Sequence, residues 1–248
     1  MRKKSIVKIV ATSDTHGFTF VDNVPKCDIL LIAGDISPVN MSHGFVAQKT
    51  WFEGNFISDL KLLTKKAKHI ACVAGNHDTY LSEMNISKRN DVVRDMLPKN
   101  VHYLCDDVTD IYGIQIYGSP WCNLPVWASK GSPVWNFAEK DDLLGQIYAN
   151  MPNDIDIIIS HGPSFGYCDS ICEGDYAGTQ YIGSPALRQK VLDSKAKYVL
   201  TGHIHSSPRE VRISLGEGVV RQFSCVSFLN EDYTHNDAYN PVEITYVQ

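Results

Sequence analysis

Five short apolar segments recur along the chain, with longer amphipathic stretches between them. They cover residues 6–11, 28–33, 69–74, 155–160 and 198–201. Each is rich in Ile, Val and Leu and lacks a clean alternation of polar and apolar positions, as expected for strands that are covered on both faces. These segments therefore predict buried strands with other elements packed on either side.

Two of the intervening stretches carry helical patterns. In residues 45–66, large apolar side chains recur at helical spacing: Phe52, Phe56, Leu60 and Leu63. Lysines cluster near the end of that stretch, where the helix dipole favours cations. Residues 184–194 begin with Ser184 and a proline, which suits an N-cap followed by the first helical position.

The middle and the end of the chain carry hairpin patterns instead. Residues 108–112 and 114–117 pivot on Gly113, and further strand-like segments cover 211–214, 219–224 and 242–247. Together with the helices, they predict an α/β architecture with mixed sheets and helices outside. No repeat, low-complexity tract or long linker divides the sequence, so we expect residues 1–248 to form a single domain.

Composition and charge narrow the functional classes. The 248 residues are 44% hydrophobic and 21% charged, which is ordinary for a globular protein. Their 23 Lys and Arg against 28 Asp and Glu give a net charge of −5. This balance disfavours a protein that grips long nucleic acid by releasing counterions. A small phosphate substrate remains compatible with it, because a metal site supplies positive charge locally.

The sequence also favours a cytoplasmic location without membrane insertion. No run of 18 apolar residues occurs, and the basic N-terminus leads into a first strand rather than a signal peptide. Seven cysteines, an odd number without a CxxC pair, predict reduced thiols.

Polar residues of metal-binding type follow five of the predicted strands. Because residues i and i+2 of an extended chain point to one side, two such pairs can each reach a single ion. In chain order the residues are Asp14 and His16; Asp35; Asn76, His77 and Asp78; His161; and His203 and His205. Taken singly, each motif is compatible with an ordinary turn or a hydrogen-bonded histidine. Five in order, at strand ends where α/β sheets place their sites, are hard to attribute to packing.

In this order the chain resembles the calcineurin-like metallophosphoesterases, whose motifs run D-x-H, G-D, G-N-H-[DE], H and G-H-x-H. Within that family it is most similar to the metallophosphoesterase-domain phosphodiesterases, through residues 13–16, 117–121, 160–163 and 202–205. The resemblance implies a four-layer α/β/β/α sandwich. Two departures are Ser164, where that subgroup often has a second proline, and Ser206, where a glutamate is common. Both put the identity of the substrate in doubt rather than the chemistry.

The resemblance also implies a role for each residue of the motifs. Asp14, His16 and His205 would hold one divalent ion; Asn76, His161 and His203 would hold a second; Asp35 would bridge the two; His77 would be the general acid. Asp78 would support His77, although a helix or turn cap is an equally good interpretation. Mixed histidine and carboxylate ligands suit Mn, Fe, Zn, Ni or Co better than Mg, and we favour Mn.

The implied reaction is hydrolysis of a small phosphodiester, with cyclic nucleotides as trial substrates. Two ions about 3.5–4 Å apart can bridge a hydroxide nucleophile and clamp phosphate oxygens for in-line attack. A phosphomonoesterase and a non-catalytic binding scaffold are the alternatives. No Walker A, GxGxxG or GxSxG motif supports nucleoside triphosphatase, dinucleotide or serine hydrolase chemistry.

Two loops are candidate walls of the site. Residues 118–137 contain Trp121, Trp127 and Trp135, and we favour a loop packed by its own aromatic rings over one that stacks on substrate. Residues 174–183 contain Tyr176 and Tyr181, for which an ordinary surface loop is favoured over a lid. The remaining histidines fit no motif: His43, His69, His102 and His235.

Overall fold

The computed structural model describes residues 6–41, 44–128, 130, 132, 134–172, 180–216, 218–235 and 237–247. In chain order its strands are β1 (Ile6–Thr12), β2 (Cys27–Ala33), β3 (Ala67–Val73), β4 (Val101–Tyr103), β5 (Asp107–Ile111), β6 (Ile114–Ser119), β7 (Cys122–Asn123), β8 (Ala138–Glu139), β9 (Ile157–Ser160), β10 (Tyr198–Thr201), β11 (Glu210–Gly216), β12 (Val219–Cys225) and β13 (Val242–Val247). Its α-helices are α1 (Phe45–Trp51), α2 (Ile57–Leu63), α3 (Thr79–Ile86), α4 (Asn90–Met96), α5 (Asp141–Tyr148) and α6 (Pro185–Asp193).

Two large mixed sheets form the centre of the fold. The first has the order β13-β1-β2-β3-β4, and the second has the order β11-β12-β10-β9-β6-β5. Within each sheet the inner strands pair in parallel, whereas the pairs β13–β1, β11–β12 and β5–β6 are antiparallel. The antiparallel pairs β5–β6 and β11–β12 are the two hairpins that the sequence predicts.

Three apolar clusters show how the layers stack. Ile9 and Leu31 of the first sheet share one cluster with Ile116 and Ile159 of the second, so the two sheets pack face to face. The outer face of the first sheet packs against α1 to α4, and the outer face of the second packs against α5 and α6. The expected α/β/β/α sandwich with mixed sheets is therefore confirmed.

Both predicted helices are present. The first runs through α1, a π-helical turn (Phe52–Phe56) and α2, and ends at Leu63 rather than at residue 66. The second, α6, begins after Ser184, whose Oγ accepts a hydrogen bond from the Leu187 N–H at 3.0 Å, as expected of an N-cap. Within the described residues, no helix is long and apolar enough to cross a bilayer.

The parallel strands of the two sheets position the site. Strands β1, β2 and β3 of the first sheet and β9 and β10 of the second lead directly into the five polar motifs. Because the carboxyl ends of parallel strands lie at one edge of a sheet, and the two sheets are stacked, the motifs meet at one edge of the sandwich.

Candidate metal centre

The turns after the strands hold several candidate ligands in an unusual backbone conformation. Asp14, His16, Asp35 and His203 have φ angles of 51°, 45°, 51° and 71°, in the left-handed region that non-glycine residues avoid. Such conformations persist where the surrounding structure enforces them, and they concentrate at functional sites. Here the Asp14 N–H donates to the Gly34 carbonyl at 2.9 Å, and the His16 N–H donates to the Asp35 carbonyl at 3.0 Å.

Asp14, His16 and His205 form the first ligand group. The Nε2 atoms of His16 and His205 lie 3.3 Å apart, and Nε2 of His205 lies 3.3 Å from Asp14 Oδ1. One ligand atom from each of the three residues falls within 4.8 Å of the others, and all three side chains are buried. Nitrogen and oxygen atoms that converge in this way can coordinate one cation.

Asn76, His161 and His203 form the second group. The Asn76 Oδ1 atom lies 2.8 Å from His161 Nε2 and 2.7 Å from His203 Nδ1. The amide nitrogen of Asn76 donates to the Val134 carbonyl at 2.7 Å, which turns the amide oxygen toward the two histidines. The three residues therefore present an oxygen and two nitrogens to one point.

The carboxylate of Asp35 lies between the two groups. Its Oδ2 atom is 3.8 Å from His16 Nε2 and 3.4 Å from His161 Nε2. Its Oδ1 atom accepts a hydrogen bond from the His77 N–H at 2.8 Å, which fixes the orientation of the carboxylate. The other six residues predicted as ligands are thus gathered around Asp35.

A second layer of contacts orients the ligands. Backbone carbonyls of Ala33 and Asn230 accept from Nδ1 of His161 at 3.0 Å and Nδ1 of His205 at 2.8 Å, so each ring turns its Nε2 atom inward. Asp14 accepts from the hydroxyls of Ser13 and Ser227, and from the His203 N–H.

Glycine at position 202 is required by this second layer. A side chain at Gly202 would collide with the Asp14 carboxylate and the Ser13 hydroxyl. The glycine of the G-H-x-H motif therefore allows the close approach that lets Asp14 receive the His203 N–H.

The electrostatics of the cluster suit a cation. Burial, together with neighbouring histidine charge, lowers the pKa of His16 and His203 to about 3, which leaves both rings neutral, the form that binds metals. Burial opposes charge on His161 and His205 as well, but the nearby carboxylates and the hydrogen bonds that each ring makes together outweigh it and raise both pKa values to about 9. A cation bound among these carboxylates would displace those protons. The donor set therefore fits divalent metal ions.

His77 faces the open side of this cluster. Its ring lies edge-on to the His16 ring, with centroids 5.1 Å apart, and it lines the adjoining cavity. Its carbonyl accepts a hydrogen bond from the Gln48 side chain at 2.7 Å. The backbone on both sides of the ring is therefore fixed while the ring borders the cavity.

Asp78 is fully buried and binds backbone N–H groups. Its carboxylate accepts from Ser37 at 2.9 Å, from Gly75 at 2.8 Å and from Ile36 at 3.4 Å. These bonds join the turn that carries Asn76 and His77 to the turn that follows Asp35. Although Asp78 precedes α3, its side chain does not cap that helix. The contacts favour the turn-stabilising interpretation, and support of His77 by Asp78 stays a prediction.

Comparison with known families bears directly on this centre. A family model described as calcineurin-like phosphoesterase matches residues 7–207. The chain belongs to the calcineurin-like phosphoesterase family. The match includes every residue of the two ligand groups, together with Asp35 and His77.

Individual relatives are distant. UPF0046 protein T07D4.2 of Caenorhabditis elegans is 28% identical over 233 residues, which cover 82% of this chain and 52% of the relative. Metallophosphoesterase domain-containing protein 1 of Homo sapiens is 26% identical over 217 residues, which cover 80% of this chain and 60% of the relative. The chain thus spans only about half to three fifths of these relatives. The solved structure of TT1561 of Thermus thermophilus shares the fold, with a TM-score of 0.57, 13% identity and 90% coverage of each chain.

A cavity of about 660 Å³ opens on the centre. The side chains of Trp127 and Trp135 form part of its wall, and their rings also pack edge-on against each other, with centroids 5.6 Å apart, as expected for a loop packed by its own aromatic rings. Trp121 instead donates its indole N–H to Asp106 at 2.7 Å. Of the loop 174–183, for which we favour an ordinary surface loop over a lid, residues 174–179 with Tyr176 lie outside the described residues, as does His43.

The sequence did not predict that the segment after β12 contributes to the site. Asn230 supplies the carbonyl that holds His205, and the Tyr233 ring packs edge-on against His16 and His205, with centroids 4.9 Å and 5.5 Å away. Tyr233 also has a left-handed backbone, with φ of 56°. A carbonyl contact and an isolated tyrosine carry no sequence pattern, so only the fold reveals them.

Proposed function

We propose that the chain is a two-metal hydrolase of small phosphoesters, and that phosphodiesters are its favoured substrates. The observation that carries this proposal is the position of the Asp35 carboxylate between the two candidate ligand groups, 3.8 Å from His16 Nε2 and 3.4 Å from His161 Nε2. Family membership supports the same chemistry. The identity of the ions is part of the proposal: histidine and carboxylate ligands suit Mn, Fe, Zn, Ni or Co, and we favour Mn.

In this proposal each residue has a defined task. Asp14, His16 and His205 would hold one ion, Asn76, His161 and His203 would hold the other, and Asp35 would contribute to both. When bound, the two ions supply an activated water and neutralise the charge of the phosphate oxygens. His77, on the cavity side, donates a proton to the departing alkoxide. The hydrogen bond from the His77 N–H to the Asp35 carboxylate links the position of His77 to that of Asp35.

The cavity limits the substrate. With about 660 Å³ and no Lys or Arg among its described lining residues, it suits a small molecule better than a long nucleic acid. Cyclic nucleotides enter the trial set through the resemblance. A cytoplasmic location is part of the same proposal, because none of the seven cysteines, all within the described residues, forms a disulfide.

The test compares bis-p-nitrophenyl phosphate with p-nitrophenyl phosphate. Protein stripped with a chelator and reconstituted with Mn²⁺ should hydrolyse the diester faster, and the stripped protein should hydrolyse neither. A preference for the monoester would replace the phosphodiesterase with a phosphatase. Two tightly bound ions without turnover, under Mn²⁺ and the other candidate metals, would instead indicate a binding scaffold.

A further inference from the structure

The cavity beside the metal centre has an unusual charge distribution. Apart from histidines, the charged side chains among its described lining residues are all acidic: Asp35, Glu231 and Asp232. Asp35 belongs to the metal centre, which leaves two carboxylates with no cationic side chain beside them on the cavity wall. A substrate with a second anionic group would therefore meet repulsion there instead of a partner.

The remainder of the wall is largely aromatic and apolar. The ring centroids of Trp135 and His203 lie 5.9 Å apart, and those of Trp127 and Trp135 lie 5.6 Å apart. Both pairs are edge-on. Tyr233 lies against His205. Since His203 and His205 are two residues apart, aromatic surfaces border both sides of this short histidine segment. A bulky group attached to a phosphate at the centre would lie among these rings.

Glu231 and Asp232 belong to the same loop as Tyr233. Glu231 Oε1 accepts from the Ser206 N–H at 2.8 Å. Asn230 Oδ1 accepts from the N–H groups of Asp232 at 3.1 Å and Thr234 at 2.9 Å, which closes the loop. The Glu231 carboxylate and the Asp232 backbone are thus fixed at the edge of the cavity, and both residues are exposed to solvent.

We propose that the preferred substrate is a phosphodiester in which the alcohol retained on phosphorus carries a quaternary or protonated ammonium group. This inference rests on the proposed function and adds a substrate class to it. The phosphate, a single negative charge, would lie at the metal centre. The ammonium group would lie among the rings of Trp127, Trp135 and Tyr233, where cation–π attraction adds to that of Glu231 and Asp232. A nucleobase would use the rings and donate amino hydrogen bonds to a carboxylate, but it would not neutralise the charge of either one.

The reaction is an ordinary hydrolysis. Water adds to phosphorus, the bond between phosphorus and the oxygen of the leaving alcohol breaks, and that alcohol departs with a proton or as a stable phenolate. The ammonium alcohol remains esterified to the new phosphomonoester. The substrate and water supply all atoms of the products.

Two substrates that differ only in charge test the inference. p-Nitrophenyl phosphocholine carries a trimethylammonium group, and p-nitrophenyl 3,3-dimethylbutyl phosphate replaces it with an uncharged tert-butyl group of the same shape. At 0.15 M salt, where long-range attraction is screened, the Mn²⁺-loaded protein should show about tenfold higher kcat/KM for the choline ester. Equal values, a preference for the neutral ester, or a higher kcat/KM for 2′,3′-cyclic AMP than for the choline ester would overturn the inference.

Substitutions in the cavity wall test which residues cause the preference for the choline ester over the neutral ester. Asp232→Asn and Glu231→Gln keep an oxygen acceptor but lose the charge, so each should reduce the ratio between the two substrates. Trp135→Leu should reduce it through loss of the aromatic face. Asp91→Asn removes an exposed charge on α4, outside the cavity, and should leave the ratio unchanged. If the ratio of the two kcat/KM values fell equally in Asp91→Asn, the preference for the choline ester would come from net charge alone. That result would contradict the inference.

A binding measurement separates this inference from the proposed function. Calorimetric titration with phosphocholine and with 3,3-dimethylbutyl phosphate needs no turnover. Tighter binding of phosphocholine, lost in Asp232→Asn, would support the ammonium site even if no diester were hydrolysed. Hydrolysis of bis-p-nitrophenyl phosphate without any difference between these two ligands would retain the phosphodiesterase and reject the ammonium site.

Discussion

The imidazole of His205 donates its Nδ1 proton to the backbone carbonyl of Asn230, over 2.8 Å. This bond selects the ring tautomer whose Nε2 faces Asp14 and His16. The same carbonyl accepts the Tyr233 N–H at 2.9 Å, and the Asn230 side chain accepts from Asp232 and Thr234. One asparagine therefore links a candidate ligand to the loop that carries the acidic edge of the cavity.

Replacement of Asn230 should weaken the binding of one of the two proposed ions. Asn230→Ala removes the side-chain oxygen that closes the loop, so the carbonyl facing His205 loses its fixed position. We expect about 10- to 100-fold weaker binding of one ion and little change in the other, as for other changes to groups that orient metal ligands. Metal content after dialysis and competition with a chelator measure this effect. Asn150→Ala, at an exposed position after α5, is the matched control, and unchanged affinity at both sites in Asn230→Ala would contradict the prediction.

The sequence predicted the centre better than its surroundings, for a physical reason. Ligand residues sit at fixed positions after buried strands, and parallel strands bring their ends together, so chain order alone indicates which residues meet. The contacts that orient those ligands come from the Ala33, Val134 and Asn230 carbonyls and the Ser227 hydroxyl. Every residue has a carbonyl, so no residue type marks such positions.

Helices α3 and α4, which the sequence did not predict, also have a physical explanation. Helix α4 has seven residues and buries Val93, so its apolar periodicity has almost no length over which to appear. Helix α3 buries Ser82 among Tyr80, Leu81 and Met84, which blurs the apolar face. Their formation depends on packing against the sheet more than on a local pattern.

One thiol should react much faster than the other six in the native protein. Cys172 is exposed, whereas Cys27, Cys72, Cys122, Cys168 and Cys225 are buried and Cys105 is partly buried. Burial also raises the pKa of Cys105 to about 12, which disfavours its reactive thiolate. Titration with Ellman's reagent should show one fast equivalent. Cys172→Ser should abolish that fast phase, and more than one fast equivalent in the native protein would contradict the described burial.

Asp106 should make stability depend on pH in a defined direction. Its carboxylate accepts from Tyr117, Ser119 and Trp121, yet burial, the larger effect, raises its pKa above the ordinary value. The folded state then binds the proton more tightly than the unfolded state, so its contribution to stability falls as pH rises from the ordinary pKa through the raised one.

Asp106→Asn isolates this effect. Asparagine keeps an acceptor oxygen and tolerates the left-handed backbone at this position, where φ is 57°. The free energy of unfolding of the variant, measured by urea denaturation, should increase relative to the wild type between pH 4 and pH 7. A difference that stays constant, or falls, over this range would show that the carboxylate is not the group responsible.

Arg221 should be essential to the stability of the second sheet and α6. Its guanidinium is almost fully buried and donates to the carbonyls of Ala196 and Val191 at 2.6 Å and of Ser194 at 2.7 Å. Arg221→Met preserves much of the side-chain volume but leaves these carbonyls without their donors, which should cost about 3 kcal/mol in the free energy of unfolding. Arg212→Met, at an exposed position on β11, is the control. Similar urea midpoints for both variants would contradict the assigned role.

His77 should affect the chemical step without affecting the metal content. In His77→Ala both ligand groups and Asp35 remain, so two ions should still bind, as measured by elemental analysis. Loss of the general acid should cost about 10²- to 10⁴-fold on esters with basic leaving groups, and much less on p-nitrophenyl esters, whose phenolate departs without a proton. The rates of a series of aryl methyl phosphates should therefore depend more steeply on the pKa of the leaving group in the variant. His102→Ala, on β4 and outside the centre, should retain the wild-type dependence. Loss of an ion from His77→Ala would show that His77 supports the metal centre and would reject its assignment as an acid alone.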